Sequence, residues 1–224
     1  MFKKQALIQR PGFSYRVARF ILFVFYKMFF RFRAYGIENV PDPADERGVI
    51  LAPNHASYLD PPVVAIALRR VVTFLAKGYL FQKFFIGSFL RSAGVVPIKT
   101  RTDDFRTIRQ ILGILKEGHC VAIFPEGTRS VDGAFKKPES GIGFLAMKSQ
   151  AYVVPVYIQG TYEVLPKGAK WFRPRPVSAY FGRSFIPALE KDCLENPSPY
   201  EAVAEKIMRE IKRMKERVET KLSC

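Results

Sequence analysis

The spacing of hydrophobic and polar positions changes along the chain, and each change marks an element. Residues 48–53, 71–76, 94–98, 119–124, 152–158 and 177–182 are short apolar runs, and each reads as a strand. Residues 32–37 alternate well enough to supply a first strand, which Pro41-Asp42-Pro43 breaks off. Between these runs the period lengthens. Phe105, Ile108, Ile111, Leu112 and Leu115 share one face of a helix that Asp103 can cap and that runs through Lys116. Residues 77–92 are aromatic and basic with helical character, and residues 141–149 form another helix. From Tyr200, the series Val203, Ile207, Ile211, Met214, Val218 and Leu222 predicts an amphipathic closing helix. Strands separated by helices predict an α/β fold, here a single mixed sheet flanked by helices over residues 34–224.

Residues 13–33 follow another rule. They are dense in Phe, Ile, Leu and Val but punctuated by Arg16, Arg19, Lys27 and Arg31. The longest uncharged run, residues 20–26, covers only about 10 Å as a helix against roughly 30 Å of hydrocarbon, so it is not a simple spanning segment. No small-residue cleavage site follows, so it is not a cleavable signal either. At about 100° per residue the four cations fall within an arc of about 120°. Ile21, Leu22, Phe25, Met28, Phe29 and Phe32 lie opposite, although Phe20, Phe23 and Phe30 fall on or beside the basic face. The pattern predicts an N-terminal interfacial membrane helix, with residues 1–33 as an anchoring segment, apolar side down and cations on lipid phosphates. The competing reading is a helix packed on the protein's own core. A basic, aromatic stretch at residues 167–175, containing Trp171, is either a second interfacial dip or a plain surface turn.

A length of 224 residues is enough for one full core, and the formal net charge of +16 points to an anionic partner. Residues 1–40 hold eight Lys or Arg against the single acid Glu38. Apolar aromatics beside those cations favour lipid over nucleic acid, and no nucleic-acid module is visible, so membrane phospholipids and no nucleic acid are expected. Cys120, Cys193 and Cys224 have neither metal nor redox spacing, which suggests a reducing compartment. With His55 and His119 the only histidines, no protein metal site is expected.

The chemistry concentrates in Asn54-His55-Ala56-Ser57-Tyr58-Leu59-Asp60. It follows the strand at residues 48–53 and precedes Pro61-Pro62, where a helix should start. That puts His55 at a strand's carboxyl end, where open α/β sheets bind ligands. On one continuous helix, residues five apart would face roughly 140° away from each other, so His55 and Asp60 can meet only across a turn. A carboxylate on one imidazole nitrogen leaves the other free to take a proton, the minimum for general-base attack by a hydroxyl. Asp before Pro is also an ordinary N-cap, and a lone His is often simply hydrogen-bonded structure. Taken alone, these seven residues leave both readings open.

Three places match one pattern in order over about residues 45–160. Asn54-His55-x-x-x-x-Asp60, Phe124-Pro125-Glu126-Gly127-Thr128-Arg129-Ser130 and Val154-Pro155-Val156 resemble the glycerolipid acyltransferase family, and within it the 1-acylglycerol-3-phosphate (lysophosphatidic acid) acyltransferases. The resemblance implies transfer of a fatty acyl group from acyl-CoA or acyl carrier protein to the sn-2 hydroxyl of lysophosphatidic acid. His55 would be the base and Asp60 its orienting partner. The thioester donor is a substrate, and no separate cofactor is implied. With no Gly-x-Ser-x-Gly elbow, direct attack is expected rather than a serine intermediate. Glu126, Gly127, Thr128 and Arg129 match the family's acceptor-binding block. Arg129 is the expected phosphate clamp, Gly127 permits close backbone approach, and Glu126 would orient Arg129 or a glycerol hydroxyl. The family's second block departs from its usual form. Lys99 stands where an acid is usual and Arg101 falls one step late, so either could contact phosphate, with Lys99 preferred.

The family resemblance also implies monotopic attachment to a cytosol-facing membrane, the inner membrane if the source is bacterial. Two other functions remain in view: acylation of another lysophospholipid or of glycerol-3-phosphate, and a non-enzymatic basic protein binding membranes or nucleic acid. Gly141-Ile142-Gly143 mimics a dinucleotide fingerprint but follows no strand, and small residues for helix packing explain it better.

Overall fold

The computed structural model describes residues 13–42, 45–77, 96–98, 105–169 and 171–222. A helix α1 (Phe13–Phe30) leads into strand β1 (Arg33–Tyr35), then β2 (Val49–Pro53) and α2 (Asp60–Ala67). Strands β3 (Val72–Lys77) and β4 (Val96–Ile98), helix α3 (Phe105–Lys116) and strand β5 (Cys120–Ala122) follow. The chain continues through α4 (Ser140–Ser149), β6 (Tyr152–Gln159), the single turn α5 (Thr161–Val164), β7 (Ser178–Phe181), a second single turn α6 (Lys191–Leu194) and α7 (Pro199–Leu222). Asp103 and residues 78–92 of the expected aromatic helix lie outside the described residues.

Seven strands pair in the order β1-β7-β6-β2-β5-β3-β4. All neighbours are parallel except β6 and β7, which makes the sheet mixed as expected. Its two faces are separated residue by residue. Val49 and Leu51 of β2, Cys120 and Ala122 of β5, and Val154, Val156 and Ile158 of β6 belong to one buried cluster with α1 and α2. Ile50, Ala52, Val121 and Val153 belong to a second, under α3, α4 and α7. Both faces are covered, so these strands appear in the sequence as unbroken apolar runs rather than alternations.

On the second face, α7 buries Val203, Ile207 and Ile211 as its periodicity requires. Helix α3 presents most of its expected face: Ile111 and Leu115 are buried and Ile108 and Leu112 pack against the same cluster. It buries Thr107, Ile111, Ile114 and Leu115, while Phe105 is 83 % exposed because it lies about 120° around the helix from Ile111. Gly143 is a packing residue: a Cβ there would sit 1.9 Å from the Tyr200 carbonyl oxygen of α7, whereas one at Gly141 would meet nothing within 4 Å.

On the first face, α1 is part of the core. Tyr26, Phe30 and Phe32 are buried, and Leu22 and Phe25 pack against them. The expected basic and apolar sides of this helix need correction. Arg19 points inward and donates to the carbonyl oxygens of Ala65 (3.1 Å) and Ile66 (3.3 Å), acceptors left open at the end of α2. Phe30 also faces in. The outward face carries Phe13, Val17, Phe20, Ile21, Phe23, Val24 and Met28, with Arg16 and Lys27 along one flank. Among the described residues no helix is long and apolar enough to cross a membrane.

Candidate active site

Neighbouring parallel strands β2 and β5 end at the same edge of the sheet, and each delivers one of the sequence blocks there. Beyond β2, Asn54 stays in register with β6: its side-chain amide donates to the Ile158 carbonyl (3.1 Å) and its side-chain oxygen accepts the Ile158 N–H (2.7 Å). The chain then turns. Asp60, at the first position of α2 and 0 % exposed, folds its carboxylate back over this turn. Its Oδ2 accepts from the backbone N–H of Ala56 (2.7 Å) and Ser57 (2.7 Å) and lies 2.9 Å from His55 Nδ1. The two side chains expected to meet across a turn therefore do.

The imidazole is fixed on a second side by Phe124, whose ring stacks on it with centroids 3.9 Å apart and planes 23° from parallel. With Nδ1 on Asp60, the imidazole side chain 17 % exposed and Nε2 without a hydrogen bond to any described residue, one nitrogen is left to take a proton. The other Asp60 oxygen, Oδ1, is buried without a hydrogen-bond partner among the described residues. Further contacts brace the turn. Ser57 Oγ donates to the Leu165 carbonyl (2.7 Å) and the Tyr26 hydroxyl donates to the Leu59 carbonyl (3.2 Å). Burial and the nearby Asp60 charge push the Tyr26 hydroxyl's pKa up, which keeps it a donor.

The block after β5 is tied to this turn through its backbone. The Ser130 N–H donates to the His55 carbonyl (2.7 Å), and the Glu126 carboxylate accepts the His55 N–H at Oε1 (2.8 Å) and the Lys136 N–H at Oε2 (3.0 Å). Glu126 is thus buried, and its carboxylate accepts two backbone donors that join two loops, a tie the sequence-based expectation of orienting Arg129 or a glycerol hydroxyl did not include. Burial pushes its carboxyl above the usual range, against the pull of those two amides. Gly127 takes a left-handed conformation (φ 65), and a Cβ would press on Glu139 Cγ at 3.1 Å, so glycine is required for the turn itself.

Arg129 lies with its guanidinium carbon 3.4 Å from the centre of the Tyr58 ring, over the His55 loop. Lys136 Nζ donates to Thr128 Oγ1 (3.1 Å) and to the Arg129 carbonyl (3.0 Å). The structure therefore brings His55, Asp60, Glu126, Gly127, Thr128 and Arg129 together, whereas Lys99 and Arg101 lie outside the described residues. Sequence reasoning passed over Tyr58, Phe124 and Lys136. The first two sit inside the quoted blocks, but ring stacking leaves no periodic signal. Among the described residues no three His, Cys, Asp or Glu side chains gather as a metal site.

Residues 31–159 match the family model described as Acyltransferase. Among curated relatives, the chloroplastic 1-acyl-sn-glycerol-3-phosphate acyltransferase LPAT1 of Arabidopsis thaliana is 29 % identical over 163 residues, which are 72 % of this chain and 45 % of that protein. The 1-acyl-sn-glycerol-3-phosphate acyltransferase of Bacillus subtilis is 34 % identical over 130 residues, 57 % of this chain and 62 % of that one. This chain spans about half the length of the curated relatives it matches. The crystal structure of the 1-acyl-sn-glycerophosphate (LPA) acyltransferase PlsC from Thermotoga maritima shares the fold, with a TM-score of 0.72 at 24 % identity, covering 95 % of this chain and 84 % of that one.

Proposed function

The chain belongs to the Acyltransferase family, and from that premise we propose that it transfers a fatty acyl group from acyl-CoA or acyl carrier protein to the sn-2 hydroxyl of 1-acylglycerol-3-phosphate, giving phosphatidic acid. The acceptor is the one in its relatives' names. The observation that carries the chemistry is the Asp60-bound imidazole with its free Nε2, roped by backbone bonds to the loop that bears Arg129. His55 Nε2 takes the acceptor's hydroxyl proton as the oxygen attacks the thioester carbonyl. The tetrahedral intermediate then collapses, the C–S bond breaks, and the imidazolium returns the proton to the leaving thiolate. Asp60 stabilises the imidazolium and holds its orientation. Arg129 clamps the acceptor's phosphate through two parallel hydrogen bonds, with either Lys99, the preferred one, or Arg101 as a further cationic contact.

Attachment to a cytosol-facing membrane surface completes the proposal. The outward face of α1 would lie in the interface, with Arg16 and Lys27 at the level of the phosphates. The test is acyl transfer from a labelled thioester to lysophosphatidic acid by wild type, His55→Ala and Arg129→Ala. His55→Ala should lose about 10²–10⁴ in kcat. Arg129→Ala should raise KM for phosphorylated acceptors and leave an uncharged acceptor unaffected. Full turnover in His55→Ala would reject the mechanism.

A further inference from the structure

The segment between α5 and β7 has a feature that neither the fold nor the catalytic turn uses. Trp171 is 84 % exposed, and Phe172 beside it is also exposed on one side. A large aromatic held almost wholly in water is costly unless something else covers it. The segment is not loosely hung. Its Arg173 N–H donates to the Val164 carbonyl (2.8 Å), and the Phe172 ring packs edge-on against Phe30 (centroids 5.9 Å) and Phe25 (6.4 Å) of α1. Phe25 in turn lies 4.7 Å, ring to ring, from the exposed Phe29. A row of rings therefore links the exposed Phe29, at the edge of the outward side of α1, through Phe25 to Phe172, the residue next to Trp171. Residues 165–177 hold Lys167, Lys170, Arg173 and Arg175 and no acidic residue.

Both elements are also bonded to the same short stretch. α1 reaches the His55–Asp60 turn through Tyr26 and Leu59, and the Trp171 segment reaches it through Leu165, which accepts from Ser57. We propose that the Trp171 segment is a second membrane contact, which inserts Trp171 into the interface of an anionic phospholipid bilayer and, with α1, fixes the angle at which the catalytic turn meets the lipid. A single interfacial helix is free to roll about its axis; a second contact off that axis stops the roll. The basic residues supply the charge complementarity for anionic headgroups, and tryptophan suits the boundary between water and acyl chains. The inference rests on the attachment through α1 proposed above.

Trp171 is the chain's one tryptophan, so tryptophan fluorescence of the full-length protein, excited on the red side of tyrosine absorption, reports this segment alone. On adding phosphatidylglycerol–phosphatidylethanolamine vesicles, its emission should shift to the blue and be quenched by brominated lipids. Trp171→Ala should weaken co-sedimentation with those vesicles by about tenfold and slow turnover of vesicle-embedded acceptor while leaving turnover of a monomeric, short-chain acceptor unchanged. Protein that sediments with vesicles while its emission stays put would overturn the second contact and leave α1 as sole anchor. Protein that never sediments would overturn both. A blue shift on raising protein concentration without lipid would assign the patch to a second copy of the chain and overturn the proposal.

Discussion

Asp60 gathers three donors onto one oxygen and leaves the other buried with no partner among the described residues. That asymmetry makes Asp60→Asn an informative substitution. The amide oxygen can take over the Oδ2 position while its NH₂ occupies the empty side, so the turn survives and only the charge proposed to stabilise the imidazolium is lost. kcat should fall by about 10²–10⁴ with little change in KM and an unaltered circular dichroism spectrum. The stacking of Arg129 on Tyr58 holds the guanidinium in place ahead of the acceptor contact proposed for it, and such contacts contribute about 0.5–2 kcal/mol. Tyr58→Leu should therefore raise KM for phosphorylated acceptors by about 2- to 30-fold, and Tyr58→Phe should restore it. Glu126 tests the brace between the loops through pH. Its folded-state pKa is raised above the ordinary 4.5, so its contribution to stability is full below the unfolded value and is lost as pH rises through the folded one. Measured against Glu126→Gln by urea denaturation, wild type should gain relative stability on acidification; a flat difference would show that burial does not perturb the group.

Among the elements, much of the architecture was legible because burial on both sheet faces writes strands as continuous apolar runs. Strands β2, β5 and β6 appeared where those runs did. The outward side of α1 was not legible, for a physical reason. Arg19 looked like part of a solvated or lipid-facing stripe, but the unpaired carbonyls of Ala65 and Ile66 draw it inward, and their position depends on how α2 docks. The partners of Glu126 escaped for a related reason: they are backbone N–H groups 71 and 10 residues away, which no side-chain pattern records. The two glycines of α4 show the same dependence on packing and can be separated by experiment. Gly143→Ala must push α4 off Tyr200 of α7 and should cost about 1–3 kcal/mol or more. Gly141→Ala meets open space and should stabilise by up to about 1 kcal/mol. Paired urea melts would read both signs, and equal effects would mean that the α4–α7 contact is looser than described.

For the protein as a unit, the consequence of α1's packing is that attachment and stability cannot be separated by cutting the chain. Tyr26, Phe30 and Phe32 belong to the same buried cluster as the central strands, and Tyr26 also braces the His55–Asp60 turn. Deleting residues 1–33 would remove three core aromatics, each worth about 3–5 kcal/mol by analogy with truncation to alanine, against a total stability of about 5–15 kcal/mol. Such a deletion should give an insoluble or unfolded chain, and its failure to bind vesicles would say nothing about an anchor. The outward face offers the cleaner cut. Phe20, Val24 and Met28 are exposed, lie within about 80° of one another around the helix, and contribute nothing to the core cluster. The triple change Phe20→Ser, Val24→Ser and Met28→Ser should leave Tm within a few degrees of wild type and preserve turnover of a monomeric acceptor, yet release the protein from anionic vesicles. In wild type the remaining electrostatic attraction should weaken as salt shortens the Debye length from about 10 Å at 0.1 M to about 3 Å at 1 M. Retention of the triple variant on vesicles at low salt, with loss at high salt, would assign the attachment to the cations instead of the apolar face.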